Sequence, residues 1–537
     1  MSLQAVDSQR TLESTGRSRI ETLFPRSLRE KILRNGLWST AGKFFCIPLN
    51  LLLVPFIVSS LGPERYGLWV ALFALVDYFI LFDLGVGAAT IKLAAEFEAE
   101  DDTGRLARLA ATALLLGLVF VPPLAVAYGF AAELLELLRL APSDPAEAVR
   151  VFRWVLALFA LTLVQGVFRN LLFGLQRIHL LNLCEMVYFL LYALATVAIL
   201  RCGGGLEALA LAILILRGAL GIAEALIFLR SAPQLRRHAW RPDRRIAGRL
   251  FRYGGRLQLT SVAGLLNFQY DKLLIGYFLR VEFVAFYELG SKLAGLVRLV
   301  PSALLGPVIP AAAELAAGEK IGALRELYRT GTRYLVLLAA PAAAILFFHA
   351  EAVHALWLGG QADPRAALAL RWLAVAYFFN VSTGVANSIG RGAGWLRPEM
   401  EASAAVSLIN IVSSGGLVLL WGYPGVLAGT ALAMVAGNLI YLQRFGRSIG
   451  EPWGRLLRET MVRPLACAVG AGFASRLFFL LLKPEESFPG RLDVLAPLAA
   501  ALLFFSLLFL GGIGIAKSVS LQDVLRVREA LGLIRPR

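Results

Sequence analysis

Charged residues make up only 17% of this 537-residue chain, and cysteine and histidine occur four times each. A soluble domain of this length carries about a quarter charged residues, so the deficit argues against an ordinary globular protein. The cysteines Cys46, Cys184, Cys202 and Cys467 are scattered, with no CxxC spacing, which excludes a disulfide framework and a thiolate metal site. The histidines His179, His238, His349 and His354 are unclustered, so no metal and no cofactor is expected. No GxxxxGK[ST] loop occurs, which disfavours an ATP-driven pump, and the acidic stretch "EAEDD" (98–102) contains no DxD. No polar region is long enough for an extramembrane catalytic domain; the longest outward loop is near 131–150. Residues 1–30 are polar and lack an apolar core with a cleavage site, so no signal peptide is expected.

What the chain has instead is apolar length. It is 58% hydrophobic, with a mean hydropathy of +0.69. Stretches of about 18 or more apolar residues, each able to span hydrocarbon, recur throughout. The fold class is therefore an all-α polytopic membrane protein. About fourteen spans are expected, near 37–60, 66–91, 108–130, 151–174, 181–201, 206–229, 256–279, 282–310, 331–350, 366–390, 401–421, 423–443, 462–482 and 492–516. The net charge of +16 raises nucleic acid as a partner, but the basic residues sit largely in loops on one side, so no nucleic acid is expected. Arginines crowd 231–250 and the segment 1–36, whereas the alternate loops are poor in them. By the positive-inside bias both termini and the 231–250 loop face the cytoplasm. "LGPERYGLW" (61–69) interrupts one apolar run with turn residues and two charges, and reads as an outward hairpin tip with Tyr66 and Trp69 as interfacial aromatics.

Shifting the chain against itself by 218 residues aligns Glu64 with Glu282, Ala95-Glu96 with Ala313-Glu314, Pro123 with Pro341, Glu133 with Glu351, Arg153-Trp154 with Arg371-Trp372, and Gly174 with Gly392. Two parallel six-helix bundles are expected, over 31–230 and 249–447. Around them lie an N-terminal cytoplasmic tail (1–30), a basic cytoplasmic linker (231–248), a C-terminal helix pair (448–516) and a cytoplasmic tail (517–537).

Ionisable residues at membrane depth cost roughly 2.5–3.5 kcal/mol each on insertion scales, so each needs a partner or a wet cavity. Lys43, Arg217, Lys272 and Arg298 are the candidate cations of a substrate-binding cleft between the bundles. A cleft of this charge suits a doubly anionic headgroup. Lys43 stands near enough to one end to snorkel instead. Asp77, Asp83 and Asp271 either couple transport to an ion or balance charge. Glu288 and Lys292 are four apart and also read as a plain helix-surface pair. Pro48 and Pro55 in the first span make a hinge or a packing irregularity with equal weight. The paired segments 94–109 and 312–327 are expected as amphipathic surface helices.

The stretch "SLGPERYGLWVALFALVDYFILFDLGVGAATIKLAAE" (60–96) resembles the N-terminal signature of bacterial polysaccharide-export proteins. Leu61-Gly62, Tyr66-Gly67, Asp83-Leu84-Gly85, Gly87 and Ala95-Glu96 carry the likeness. The group includes the Wzx-type O-antigen flippases of the MOP superfamily, which also holds the lipid II flippases and MATE exporters. The resemblance implies passage of undecaprenyl-diphosphate-linked oligosaccharide from the cytoplasmic to the periplasmic leaflet of the bacterial inner membrane. It also implies a cationic central cavity, with a polysaccharide polymerase and chain-length proteins as partners beside the lipid bilayer. The alternatives are a MATE-like drug antiporter, which should show an acidic cavity, and a membrane-embedded glycan-processing enzyme.

Overall fold

The computed structural model describes residues 26–78, 85–140, 142–482 and 491–515, and among them there is no strand. Asp83 lies outside the described residues, as do the side chains of Lys43 and Asp77. Helix is the expected outcome for these apolar runs, because only a helix or a closed barrel satisfies its backbone hydrogen bonds in lipid.

Helix α1 (Arg26–Tyr78) is one run of 53 residues with a single break, at Gly62 (φ 79°, ψ 166°). Glycine enters that region without the Cβ penalty other residues incur. The turn expected at 61–65 therefore sits on one residue, while Pro48 and Pro55 pass inside the helix without breaking it. Behind the break, Glu64 accepts from the Ser143 amide (2.6 Å) and hydroxyl (2.8 Å), and Arg65 pairs with Glu147 at 2.9 Å. These contacts fix the tip.

The chain continues through α2 (Val86–Ala99), α3 (Thr103–Val119), α4 (Val121–Gly129), α5 (Ala131–Leu137), α6 (Pro145–Gly174), α7 (Ile178–Arg201) and α8 (Leu206–Ser231). Next come α9 (Arg244–Phe278), α10 (Val281–Ala294), α11 (Leu296–Ala303), α12 (Val308–Ala317), α13 (Ile321–Phe348) and α14 (Ala350–Leu358). The last group is α15 (Pro364–Ser382), α16 (Gly384–Gly392), α17 (Arg397–Trp421), α18 (Tyr423–Ser448), α19 (Trp453–Leu456), α20 (Arg463–Leu481) and α21 (Arg491–Ile515). Among the described residues, eleven helical stretches are long and apolar enough to cross a membrane. The chain is a multi-pass membrane protein.

That number differs from fourteen for local reasons. Phe45–Leu75 counts once although Gly62 divides it. Helix α9, with Gln269, Asp271 and Lys272 in its apolar stretch, is not among the eleven. The expected span 282–310 is three short pieces, α10 to α12, because Gly295 and the residues before Pro307 interrupt it. The segments 94–109 and 312–327 are not separate surface helices. Each is the end of one helix, a turn, and the start of the next, with Asp101 and Glu319 both at φ 53°.

The 218-residue offset reappears in the helix bounds. Arg26 and Arg244 begin α1 and α9, Thr103 and Ile321 begin α3 and α13, and Gly174 and Gly392 end α6 and α16.

By packing, the described chain divides into two units. Unit 1 comprises the described residues of 26–56, 85–131 and 149–258; unit 2 comprises those of 57–78, 132–148 and 259–515. This partition differs from the repeat halves, since 57–78 and 132–148 pack in unit 2. The core of unit 1 gathers Phe97, Leu171, Leu172, Phe228, Leu235 and Leu250, with Trp240 against it. The basic stretch 231–248 is part of this packing. Thr103 Oγ1 meets His238 Nε2 at 2.9 Å, the Trp240 indole donates to the Leu235 carbonyl at 3.3 Å, and Arg249 pairs with Glu96 at 2.7 Å. In unit 2, α10 lies on α15 and α17 on α18, while α20 and α21 dock on α13 and α14 through Phe479, Val494 and Leu498.

Candidate functional site

Unit 2 holds a group of charges within its apolar helices. Lys272 on α9 pairs with Glu288 on α10 at 2.8 Å, and Lys292, one turn further, reaches the other oxygen of Glu288 at 3.2 Å. The i,i+4 spacing of Glu288 and Lys292 places both on one face of α10, and that face receives Lys272. Arg298 on α11 lies over the Tyr377 ring, 4.2 Å from its centroid, and extends toward Asn380 at 3.5 Å. The Tyr377 hydroxyl is 2.9 Å from the Ser291 hydroxyl, and the ring lies within electrostatic reach of Lys272 and Glu288. Two lysines therefore share the Glu288 carboxylate, and Arg298 joins them through Tyr377, in surroundings where a lone cation is costly.

Asp271, the residue before Lys272, turns the other way. Adjacent helical residues point about 100° apart, so the two cannot serve one contact. Asp271 is fully buried and accepts from the Tyr287 hydroxyl (2.7 Å), the Thr430 hydroxyl (2.8 Å) and Asn410 Nδ2 (3.1 Å). The Ser414 hydroxyl donates to Asn410 Oδ1 at 2.7 Å, and Thr430 also meets the Val426 carbonyl at 2.9 Å. This carboxylate is held by neutral donors from α10, α17 and α18.

Unit 1 places Arg217 in a different setting. Its guanidinium stacks 4.1 Å from the Tyr188 centroid and stands 3.7 Å from Glu185. Arg169 takes the other oxygen of Glu185 at 2.6 Å and reaches Glu224 at 3.8 Å, while Gln165 donates to Glu224 at 3.2 Å. Two arginines face two glutamates, so this group is balanced. Glu224 within it is fully buried.

The sequence picked out Arg217, Lys272, Arg298 and Asp271, and the structure gives each a partner set. Lys272 and Arg298 belong to one group in unit 2, Asp271 to a second network there, and Arg217 to unit 1. Arg169 and Glu185 escaped the reading although the same signal, an ionisable residue within an apolar run, marks both. Tyr287, Tyr377, Asn410 and Thr430 carry no such signal, because neutral polar residues are common in these helices. The described residues contain no cluster of three or more His, Cys, Asp or Glu able to hold a metal.

Residues 32–316 match the family model "Polysaccharide biosynthesis protein". The "Putative O-antigen transporter" of Shigella flexneri is 20% identical over 365 residues, 65% of this chain and 82% of that protein. Among solved structures, "Lipid II flippase MurJ, inward closed conformation" superposes with a TM-score of 0.67 at 14% identity, covering 88% of this chain and 98% of that one. An inward-facing multidrug resistance MATE family transporter of the MOP superfamily superposes with a TM-score of 0.66 at 16% identity, covering 80% and 99%. At such identities the superpositions establish the fold, that of the MOP transporters. The family match spans more than half of the chain, and the protein belongs to the polysaccharide biosynthesis protein family.

Proposed function

We propose that this protein is a flippase, without enzymatic activity, that carries polyprenyl-diphosphate-linked oligosaccharide from the cytoplasmic to the periplasmic leaflet by alternating access. The observation that carries the reading is the group on α9 to α11: Lys272 and Lys292 on Glu288, with Arg298 stacked on Tyr377. Two phosphates entering a membrane protein need charge-assisted donors in place of lost water, and this group brings together three cationic side chains. An exporter of organic cations would need the opposite balance. Arg217 in unit 1 is the second proposed phosphate contact, reached through its stacking on Tyr188. Lys43 remains a candidate on sequence grounds, as do Asp77 and Asp83 for coupling.

Asp271 is the proposed coupling group. A buried carboxylate whose hydrogen-bond donors are all neutral changes its surroundings strongly when it gains or loses a cation or a proton.

The test is complementation in cells lacking their own flippase. The unaltered protein should restore surface glycan, while Arg298→Gln and Lys272→Gln should reduce display with membrane protein levels unchanged. Full display in both variants would end this reading.

A further inference from the structure

The first turns of α9 stand at the polar end of the helix, before its apolar stretch, and their two faces differ. Ile246, Leu250 and Gly254 are buried, the first two in the core of unit 1. At 100° per residue, Arg244, Arg245, Gly248, Phe251 and Arg252 fall together on the opposite face, and all five are exposed.

This face holds surplus positive charge. The neighbouring acids are already engaged: Glu96 with Arg249 (2.7 Å), Asp243 with Arg108 (3.4 Å), and Asp102 and Glu100 with Arg105 (2.7 and 2.5 Å). Asp243 also spends its other oxygen on the Arg245 backbone amide at 2.8 Å. Among the described residues, Arg244, Arg245 and Arg252 make no ion pair. The first turn of α9 has no acidic residue, and the positive end of the helix dipole adds to the arginines rather than offsetting them.

The face also has a shape. Gly248 lies at its centre, and a Cβ built there meets nothing within 4 Å. Arg244 and Arg252 are each four residues away, about 6 Å of axial rise on either side, so both side chains can close over the glycine. Phe251, 43% exposed, flanks the notch on the same face.

We propose that this face binds the headgroup of an anionic phospholipid. The phosphate sits over Gly248 between Arg244, Arg245 and Arg252, and the acyl chains run beside Phe251. Arginine suits the role because its planar fork pairs with two phosphate oxygens at once. An aromatic residue next to basic ones is the composition of a surface held at the lipid–water boundary. The site uses none of the residues proposed to handle substrate, and its readout needs no transport.

The experiment is native mass spectrometry of the purified full chain, titrated with dioleoyl-phosphatidylglycerol or dioleoyl-phosphatidylcholine. The unaltered protein should retain phosphatidylglycerol in preference to phosphatidylcholine. The triple variant R244Q/R245Q/R252Q should lose roughly fivefold in affinity per arginine, on the order of a hundredfold in all, with phosphatidylcholine unaffected. The corresponding triple lysine variant should keep most of the preference. Gly248→Glu, which places a carboxylate in an open notch, should abolish it without needing the triple variant to fold. Equal retention of the two lipids by the unaltered protein would overturn the proposal. So would undiminished phosphatidylglycerol binding in R244Q/R245Q/R252Q or Gly248→Glu.

Discussion

Gly174 and Gly392, 218 residues apart, make the same close approach in their separate units. A Cβ on Gly174 would lie 2.6 Å from both the Ala94 Cβ and the Ile91 carbonyl oxygen. One on Gly392 would lie 2.9 Å from the Ala312 Cβ and strike the Ile309 carbonyl oxygen. Ala94 and Ala312, and Ile91 and Ile309, are again 218 apart. In both places the end of one helix touches the backbone of another at a point with no room for a methyl group.

Gly174→Ala and Gly392→Ala should therefore each destabilise the protein, by about 1–3 kcal/mol, the usual cost of overpacking. Thermal unfolding in detergent should show both midpoints lowered. Gly129→Ala, where nothing stands within 4 Å of the new Cβ, should sit close to the unaltered protein.

At Arg298 charge and shape can be separated. Arg298→Lys keeps the cation but loses the planar stacking on Tyr377; Arg298→Gln loses both. Glycan display should fall in the order arginine, lysine, glutamine. The glutamine variant should lose on the order of tenfold to a hundredfold, as for one charge-assisted hydrogen bond. Equal display for lysine and glutamine would point to stacking alone.

Glu288 should behave unlike its neighbours. Its removal leaves Lys272 and Lys292 facing each other with the shared carboxylate gone. Glu288→Gln should lower the unfolding midpoint more than Lys272→Gln, because it breaks two ion pairs where Lys272→Gln breaks one, a loss of about 3–5 kcal/mol.

Asp271→Asn preserves the shape of the side chain and most of its hydrogen bonds to Tyr287, Asn410 and Thr430. The variant should fold normally and lose its response to an imposed gradient. In vesicles, uptake by the unaltered protein should rise with a proton or a sodium gradient, whichever couples. Uptake by the variant should follow neither. A full response in Asp271→Asn would remove this residue from the coupling role.

Asp102 offers a prediction away from the membrane. A hydrogen bond from the Arg105 side chain, then one from its backbone amide, holds the Asp102 carboxyl below the usual carboxylate range. A carboxyl lowered on folding contributes stability above its unfolded value and loses it as the pH falls through the folded one. At neutral pH Asp102→Ala should cost about 1 kcal/mol, the typical loss of a helix N-cap. That difference should shrink in strongly acidic buffer.

Much of this was legible in the residues themselves. The low charge and the apolar runs gave the class, and Gly62-Pro63 gave the first break. Shared Glu, Arg, Trp and Pro positions gave the 218-residue offset later seen in the helix bounds. Arg217, Lys272, Arg298 and Asp271 stood out because charge in hydrocarbon is costly. What periodicity left out was each residue's neighbour on another helix. It placed Arg217 within the apolar run of α8, yet Glu185 and Tyr188 lie on α7, and Arg169 on α6. Likewise Lys272 read as a lone cation because its acid, Glu288, had been matched only with Lys292 on the same helix. The breaks in 282–310, at Gly295 and before Pro307, do not show in the apolar run, which reads as a single span.

The chain passes between its packing units at 56/57, 78/79, 131/132, 148/149 and 258/259, and the last of these falls within α9. The arginine-rich stretch 231–248 thus resembles a seam without being one. A gene severed there would yield an N-terminal fragment still carrying residues 57–78 and 132–148, with the helices they pack against encoded on the other piece. Neither fragment alone should escape degradation. Only co-expression, with both threading into each other as they insert, should give a protein that survives.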